Sequence, residues 1–155
     1  MELVVLPKGG KFVVQDKKSR LLYTVKKKAF GSRFILLDAS EYNLYTLLQT
    51  DDGKKPAFKI ILNEQTFMNL TCKSLFLDPT IEGEGNGMRF SLASQDRRNF
   101  RIIKNDAEVG SIKTLTTVSG DLHYEIEIEN TAFDDYIPLF AIVIERAFGD
   151  INKNK

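Results

Sequence analysis

The chain has 155 residues, of which 43% are hydrophobic and 11 are phenylalanine, enough to fill one core of ordinary size. Its formal net charge is +1, which excludes a global field that would draw the protein to nucleic acid or to an anionic membrane. A single cysteine, Cys72, excludes an internal disulfide and fits a reducing compartment. We therefore expect one domain over residues 1–155, and any anion must bind at a local patch.

The N-terminus does not resemble an export signal. Glu2 stands where a signal peptide would be basic, and the apolar run Leu3–Leu6 is too short for a signal core. We expect a cytoplasmic protein.

From Leu3 onward, short apolar or alternating runs are separated by turn residues, a pattern typical of antiparallel β-structure. The predicted strands are Leu3–Leu6, Phe12–Gln15, Leu21–Lys28 (stopping near Gly31), Phe34–Leu37, Leu44–Leu48, Phe58–Leu62, Thr66–Cys72, Leu75–Leu77, Met88–Ala93, Phe100–Ile103, Glu108–Leu115 and Leu122–Glu129. The clearest hairpin turn is Asp51–Pro56. The Gly-rich stretch Asp78–Gly87 is predicted to be a mobile loop.

The most apolar stretch, Asp134–Gly149, is predicted to be a helix over about 135–148. Asp134 or Asp135 can cap its first turn, Pro138 is tolerated there, and Gly149 can end it. Residues 150–155 are then a frayed polar tail. Apolar side chains cover every side of this helix, so the rest of the chain must enclose it.

A buried strand is the alternative for this stretch, because Ile142, Val143 and Ile144 are β-branched. The capping signals and the length favour the helix. At about 1.5 Å per residue, such a helix is too short to cross a bilayer, so we expect no transmembrane segment.

Many antiparallel strands followed by one enclosed helix predict a mainly β fold. Only a closed barrel with a wide lumen can hold a helix and leave no exposed sheet edge. The predicted fold is a closed antiparallel barrel of about 12 short strands that encloses a C-terminal hydrophobic α-helix.

The order of the strand units supports this fold. One unit is Phe12–Asp16 with Leu21–Val25, a second is Phe34–Asp38 with Leu44–Gln49, and a third is Asn99–Ile103 with Glu108–Ile112, ahead of Tyr124–Ile128 and the apolar helix. In this order and spacing, nearly the whole chain resembles the tubby C-terminal-like fold, and within it the LURP-one-related proteins and the cytoplasmic domain of phospholipid scramblases. The resemblance implies a twelve-stranded barrel around a central helix.

Few residues suit catalysis or metal binding. The one histidine, His123, lies in a strand among glutamates and is expected to face solvent. Cys72 alternates with Met68 and Leu70 and is expected to be a core residue. We predict no catalytic residue, no metal site and no cofactor, and hence no enzyme.

The segment Glu82–Gly87 places oxygen ligands at alternate positions, as a calcium loop does. The match then fails, because the twelfth position is Ala93 and strands flank the segment. The glycines also do not indicate a phosphate loop, since no helix N-terminus or lysine follows them.

Lys26–Lys28 is the best candidate for binding an anion, with Arg33 close in sequence and Arg97 and Arg98 on a later turn. Strand residues alternate between faces, so Lys26 and Lys28 share one face and Lys27 lies on the other. The resemblance adds that some tubby-like domains bind phosphoinositide head groups through basic residues on the barrel. The predicted anionic-ligand site is therefore Lys26, Lys28, Arg33, Arg97 and Arg98, and the simpler alternative is a solvated strand end.

Two hypotheses about function remain. The first is a non-catalytic binding domain for anionic lipid head groups, or for a protein that reads the same patch; aromatic residues that would stack nucleic-acid bases are absent near it. The second is a small-molecule carrier or enzyme that uses the acidic Gly-rich loop 79–87 as a lid. A lumen filled by a helix favours the first, and an open pocket beneath 79–87 would favour the second.

Overall fold

The structure, a computed structural model, describes residues 1–28 and 32–153. These residues form twelve strands and one helix. The elements are β1 Glu2–Lys8, β2 Lys11–Gln15, β3 Leu21–Lys28, β4 Arg33–Asp38, β5 Asn43–Asp51, β6 Ala57–Leu62, β7 Gln65–Ser74, β8 Thr80–Gly85, β9 Met88–Ser94, β10 Asn99–Lys104, β11 Ala107–Thr116, β12 Leu122–Ile128 and α1 Pro138–Lys153.

The strands form a closed antiparallel barrel in which each strand pairs with its neighbours in sequence. β1 closes the ring, because Val5 pairs with Val14 of β2 on one side and with Tyr124 of β12 on the other. Closure removes the unpaired edges that would otherwise invite aggregation. The predicted fold class is confirmed.

The alternating strand direction defines two ends of the barrel. Turns that follow the odd-numbered strands lie at the end where α1 finishes, which we call the upper end. Turns that follow the even-numbered strands lie with Met1 at the other end, where α1 begins, which we call the lower end. The helix runs through the lumen between them, since Phe140 packs on Phe90 and Phe148 packs on Phe100.

The helix is enclosed as predicted, and the side chains of Leu139–Ile144 are fully buried. It begins later than predicted, because the two aspartates serve the preceding turn. The Asp135 carboxylate accepts a hydrogen bond from the hydroxyl of Tyr23 at 2.5 Å. The Asp134 carboxylate accepts a hydrogen bond from the backbone N–H of Asp135 at 2.7 Å.

The helix also does not end at Gly149. A Cβ at this position would lie 2.6 Å from Oε2 of Glu145, so the glycine provides space for a carboxylate. The helix continues because Asn152 is buried and its Nδ2 donates to the carbonyl of Arg97 at 2.8 Å. In the predicted tail, residues 150–153 are therefore ordered, and residues 154 and 155 lie outside the described residues.

The segment after β7 differs from the prediction in two ways. Leu75–Leu77 is a turn and not a strand, with Leu75 packed against the core and the next two side chains exposed. Most of the predicted loop Asp78–Gly87 is strand β8, which pairs with β7 and β9. A Cβ on Gly85 would lie 2.1 Å from the carbonyl oxygen of Phe67, so this glycine permits two backbones to approach closely.

Candidate functional site

The basic segment at the end of β3 lies near the upper end. Lys28 pairs with Arg33 across β3 and β4, and Lys26 pairs with Ile35. Lys27 pairs with the fully buried Phe34 and so lies on the inward-facing side of the strand. This register agrees with the predicted alternation, and it places Lys26, Lys28 and Arg33 together on the outer wall.

Within this group, Lys28 and Arg33 are the two basic residues that face each other directly across neighbouring strands. The ammonium group of Lys26 instead lies 3.9 Å from Oε1 of Glu41. Both side chains of that ion pair are well exposed, so it is weak and an anion can compete with it.

Arg97 and Arg98 lie in the turn between β9 and β10, also at the upper end. Nη2 of Arg98 donates to Oγ1 of Thr116 at 2.8 Å, which ties this side chain to β11. The guanidinium of Arg97 lies 5.5 Å from the ring centroid of Phe76, and the Arg97 backbone has a positive φ of 65°. Both arginines are half-buried, and Nε of Arg97 is buried with no hydrogen-bond partner among the described residues.

Asp96 fixes the turn that carries these arginines. Its carboxylate accepts the backbone N–H groups of Asn99 and Arg98 at 2.8 and 2.9 Å. Partial burial alone would raise the pKa of Asp96, but these bonds and those from the side chains of Asn99 and Ser94 outweigh it and lower the pKa to about 2. The turn is thus held by an ionised carboxylate at neutral pH.

The five predicted residues form two clusters, not one patch. The β3–β4 and β9–β10 pairs lie on opposite walls of the ring of twelve strands. With neighbouring strands about 4.8 Å apart and tilted, opposite walls are on the order of 20 Å apart. A single phosphate cannot bridge the clusters, whereas an extended anionic surface at the upper end can contact both.

The upper end carries further charged residues that the sequence did not predict as part of the site. The further basic residues there are Lys8, Lys11, Lys27, Lys54, Lys55, Lys73, Arg146 and Lys153. The acidic residues at this end are Asp51, Asp52, Asp78, Asp96, Asp121, Glu145 and Asp150. Among the described residues the upper end is therefore strongly basic.

The lower end has the opposite balance. Its acidic residues are Glu2, Asp16, Asp38, Glu41, Glu64, Glu84, Asp106, Glu108, Glu127, Glu129, Asp134 and Asp135. Its basic side chains are Lys17, Lys18, Arg20, Arg89 and Lys104. The net charge of +1 thus conceals a separation of charge along the barrel axis.

The sequence held a signal for part of this pattern. Once a meander barrel is predicted, the turns after alternate strands must share an end, and their charges can be summed. Arg146 could not be found in this way, because its exposure depends on where the helix leaves the lumen. Its Nε donates to Oε1 of Gln49 at 2.9 Å, and its guanidinium lies 5.8 Å from the ring centroid of Phe34.

Beneath the upper end, polar contacts join the helix to the wall. The hydroxyl of Tyr124 donates to Oε1 of Glu145 at 2.9 Å, and Nζ of Lys153 lies 3.8 Å from Oε2. Burial raises the pKa of Tyr124 and of Glu145. With the helix side chains filling the lumen, a ligand at this end would contact the rim of the barrel.

Cys72 is a core residue, as predicted. Its side chain is fully buried, and burial raises the pKa of its thiol. His123 lies on the outer face but is half-buried, so the prediction that it faces solvent is only partly right. The alternation within one strand shows which face His123 lies on, but it does not show how far side chains of neighbouring strands cover it.

Within residues 1–28 and 32–153, no group of three or more His, Cys, Asp and Glu side chains is arranged to hold a metal ion. The same part of the chain contains no helix with the length and apolar character needed to span a bilayer. That the protein needs no metal or cofactor stays a prediction.

A surface depression of about 570 Å³ lies beside β8 and is lined by Glu82, Gly83, Glu84, Lys73 and Arg89, among others. Strand β8 forms part of this lining, so it cannot act as the lid that the carrier or enzyme hypothesis requires. The depression also carries charges of both signs. The depression therefore gives no reason to prefer a small-molecule site there to an anion-binding site at the basic upper end.

The fold and the charge pattern define a class of protein: a closed twelve-stranded barrel threaded by its own C-terminal helix, with one basic end. The family model described as LURP-one-related matches residues 2–145, and the chain belongs to this family. The chain is also similar to a crystal structure of a protein from Arabidopsis thaliana, with a TM-score of 0.62 and 19% identity over 97% of this chain and 90% of that chain. No curated protein matches.

Proposed function

We propose that this domain is a non-catalytic binding module whose upper end engages anionic phospholipid head groups. The observation that supports it is the separation of charge, with basic residues on the turns at one end and acidic residues at the other. A negatively charged surface attracts the upper end and repels the lower end, so the field also orients the molecule. The filled lumen supports a contact at the rim, with no ligand held inside.

Lys28 and Arg33 are the central pair of the proposed site. Lys26 lies on the same wall, but its ammonium group extends to Glu41 of the lower end. The guanidinium of Arg33 can bind a phosphate through two parallel hydrogen bonds, and Lys28 adds a mobile point charge. On the opposite wall, Arg97 and Arg98 provide a second contact, with the Arg98 guanidinium held by Thr116. Each exposed contact is weak, and affinity comes from several acting together.

The test is binding to phosphatidylcholine vesicles with and without phosphatidylserine. Lys28→Glu/Arg33→Glu should weaken binding to the anionic vesicles by about 30-fold or more, since each basic residue near such a surface contributes about 1 kcal/mol. The matched control is Lys17→Glu/Lys18→Glu, which makes the same charge change on an exposed turn at the lower end. This control should bind like the wild type.

Salt gives an independent check. Binding should fade as the Debye length falls from about 10 Å at 0.1 M to about 3 Å at 1 M salt. No binding by the wild type at low salt, or equal losses in the two charge-reversal variants, would contradict the proposal.

A further inference from the structure

Two adjacent apolar side chains are displayed to solvent at the upper end. Phe76 is 67% exposed and Leu77 is 80% exposed in the turn between β7 and β8. Val118 is fully exposed in the turn between β11 and β12, at the same end. Single exposed apolar residues are common on protein surfaces, but a Phe-Leu pair on a turn tip calls for an explanation.

The turn is built to hold this pair outward. The hydroxyl of Ser74 donates to the carbonyl of Leu77, and the hydroxyl of Thr80 donates to the carbonyl of Asp78 at 2.7 Å. Leu75 packs against the core and anchors the turn from below. The exposure of Phe76 and Leu77 is therefore a property of an ordered turn.

Basic residues flank the tip on both sides. Lys54 and Lys55 are exposed in the neighbouring β5–β6 turn, and Arg97 lies in the β9–β10 turn on the other side. The guanidinium of Arg97 lies over the ring of Phe76, 5.5 Å from its centroid. When an apolar tip enters the boundary between lipid head groups and acyl chains, cations at its base are placed to contact the head groups.

We infer that Phe76 and Leu77 form a wedge that inserts into the interface of an anionic bilayer and anchors the upper end there; this rests on the proposed function. The wedge supplies an apolar contribution that the basic residues alone cannot. A protein partner fits the tip less well, because a stable protein interface needs a contiguous patch of about 800 Å² on each partner. A fluid bilayer adapts to separate apolar tips surrounded by lysines.

The chain contains no tryptophan, so a single introduced tryptophan is a specific reporter of insertion. With phosphatidylserine-containing vesicles, Phe76→Trp should show a blue-shifted emission and be quenched by brominated acyl chains. Tyr42→Trp is the matched control, because Tyr42 is an exposed aromatic residue at the lower end. Its emission should not change.

Measured vesicle affinities separate the contribution of Phe76 and Leu77 from that of the basic residues. Phe76→Ser/Leu77→Ser should weaken vesicle binding by at least about 10-fold, as expected when the burial of two large apolar side chains is lost. As salt is raised and overall binding weakens, the ratio of wild-type to Phe76→Ser/Leu77→Ser affinity should stay constant, whereas the ratio for Lys28→Glu/Arg33→Glu should shrink towards one.

The outcomes distinguish the two proposals. If the wild type binds anionic vesicles but Phe76→Trp shows no shift and Phe76→Ser/Leu77→Ser binds normally, the wedge is refuted and the proposed function stands. If the wild type does not bind, both fail. Self-association without vesicles that Phe76→Ser/Leu77→Ser abolishes would overturn the wedge in favour of a protein interface.

Discussion

Glu145 shows how one residue couples the helix to the barrel wall. Its carboxylate accepts the Tyr124 hydroxyl, and it occupies space that a side chain at position 149 would take. Burial raises the pKa of Glu145 above its ordinary value of 4.5, and the bond from Tyr124 and the charge of Lys153 only partly offset this effect. A carboxyl whose pKa rises on folding contributes stability at low pH, and this contribution is lost as pH rises through the folded-state pKa.

Glu145→Gln removes this titration and keeps an acceptor for Tyr124. The free energy of unfolding of the variant, relative to the wild type, should therefore increase as pH is raised from about 4 to about 8. Urea denaturation across this range measures the difference. Glu127→Gln, at an exposed position on β12, controls for the loss of one carboxylate. A difference for Glu145→Gln that does not change with pH would refute the coupling.

At the scale of elements, strand β8 is the part of the fold that the sequence pattern wrongly indicated to be a loop. Its glycines reduce the apparent strand propensity, yet Gly85 lies where the backbone of β7 comes closest. The glycine is needed because a side chain cannot fit between the two strands.

Gly85→Ala should lower the free energy of unfolding by about 2 kcal/mol or more, because the backbones of β7 and β8 must separate. For a domain of this size, that corresponds to a fall in Tm of about 5 °C or more. The matched control is Gly53→Ala, where the nearest atom is a carboxylate oxygen of Asp51 at 3.1 Å that can move away. Calorimetry that finds equal Tm values for the two variants would show that close approach does not explain Gly85.

Other elements could be predicted from the sequence only where the residues of the element itself reveal which face is buried. The alternating strands and the apolar helix could be predicted, because each buries a face that its own sequence reveals. The end of the helix could not, since Gly149 is explained by Glu145 one turn earlier and not by a cap. Leu75–Leu77 was assigned to a strand because apolar residues usually point inward, and here two of the three point outward.

At the scale of the whole molecule, the arrangement of charge follows from topology. The sequence identified Lys28, Arg33 and Arg97 as candidate residues, but it could not show that Arg97 lies on the wall opposite the other two. Their turns share one end because each follows an odd-numbered strand, which a predicted meander barrel already implies. The five residues, predicted as one patch, thus belong to two clusters on one end of the barrel.

The orientation of the barrel on an anionic bilayer tests this account most directly. Nitroxide labels can be attached to single cysteines introduced at Ser119, in an exposed turn at the upper end, and at Ser40, in an exposed turn at the lower end. The native Cys72 should stay unlabelled, because it is fully buried and its thiol pKa is raised by that burial.

When phosphatidylserine vesicles are added, the label at position 119 should become more accessible to oxygen and less accessible to a water-soluble nickel complex. The label at position 40 should remain in water. A bound protein whose label at position 40 contacts the bilayer, or whose label at position 119 stays in water, would contradict the claim that the upper end is the binding face.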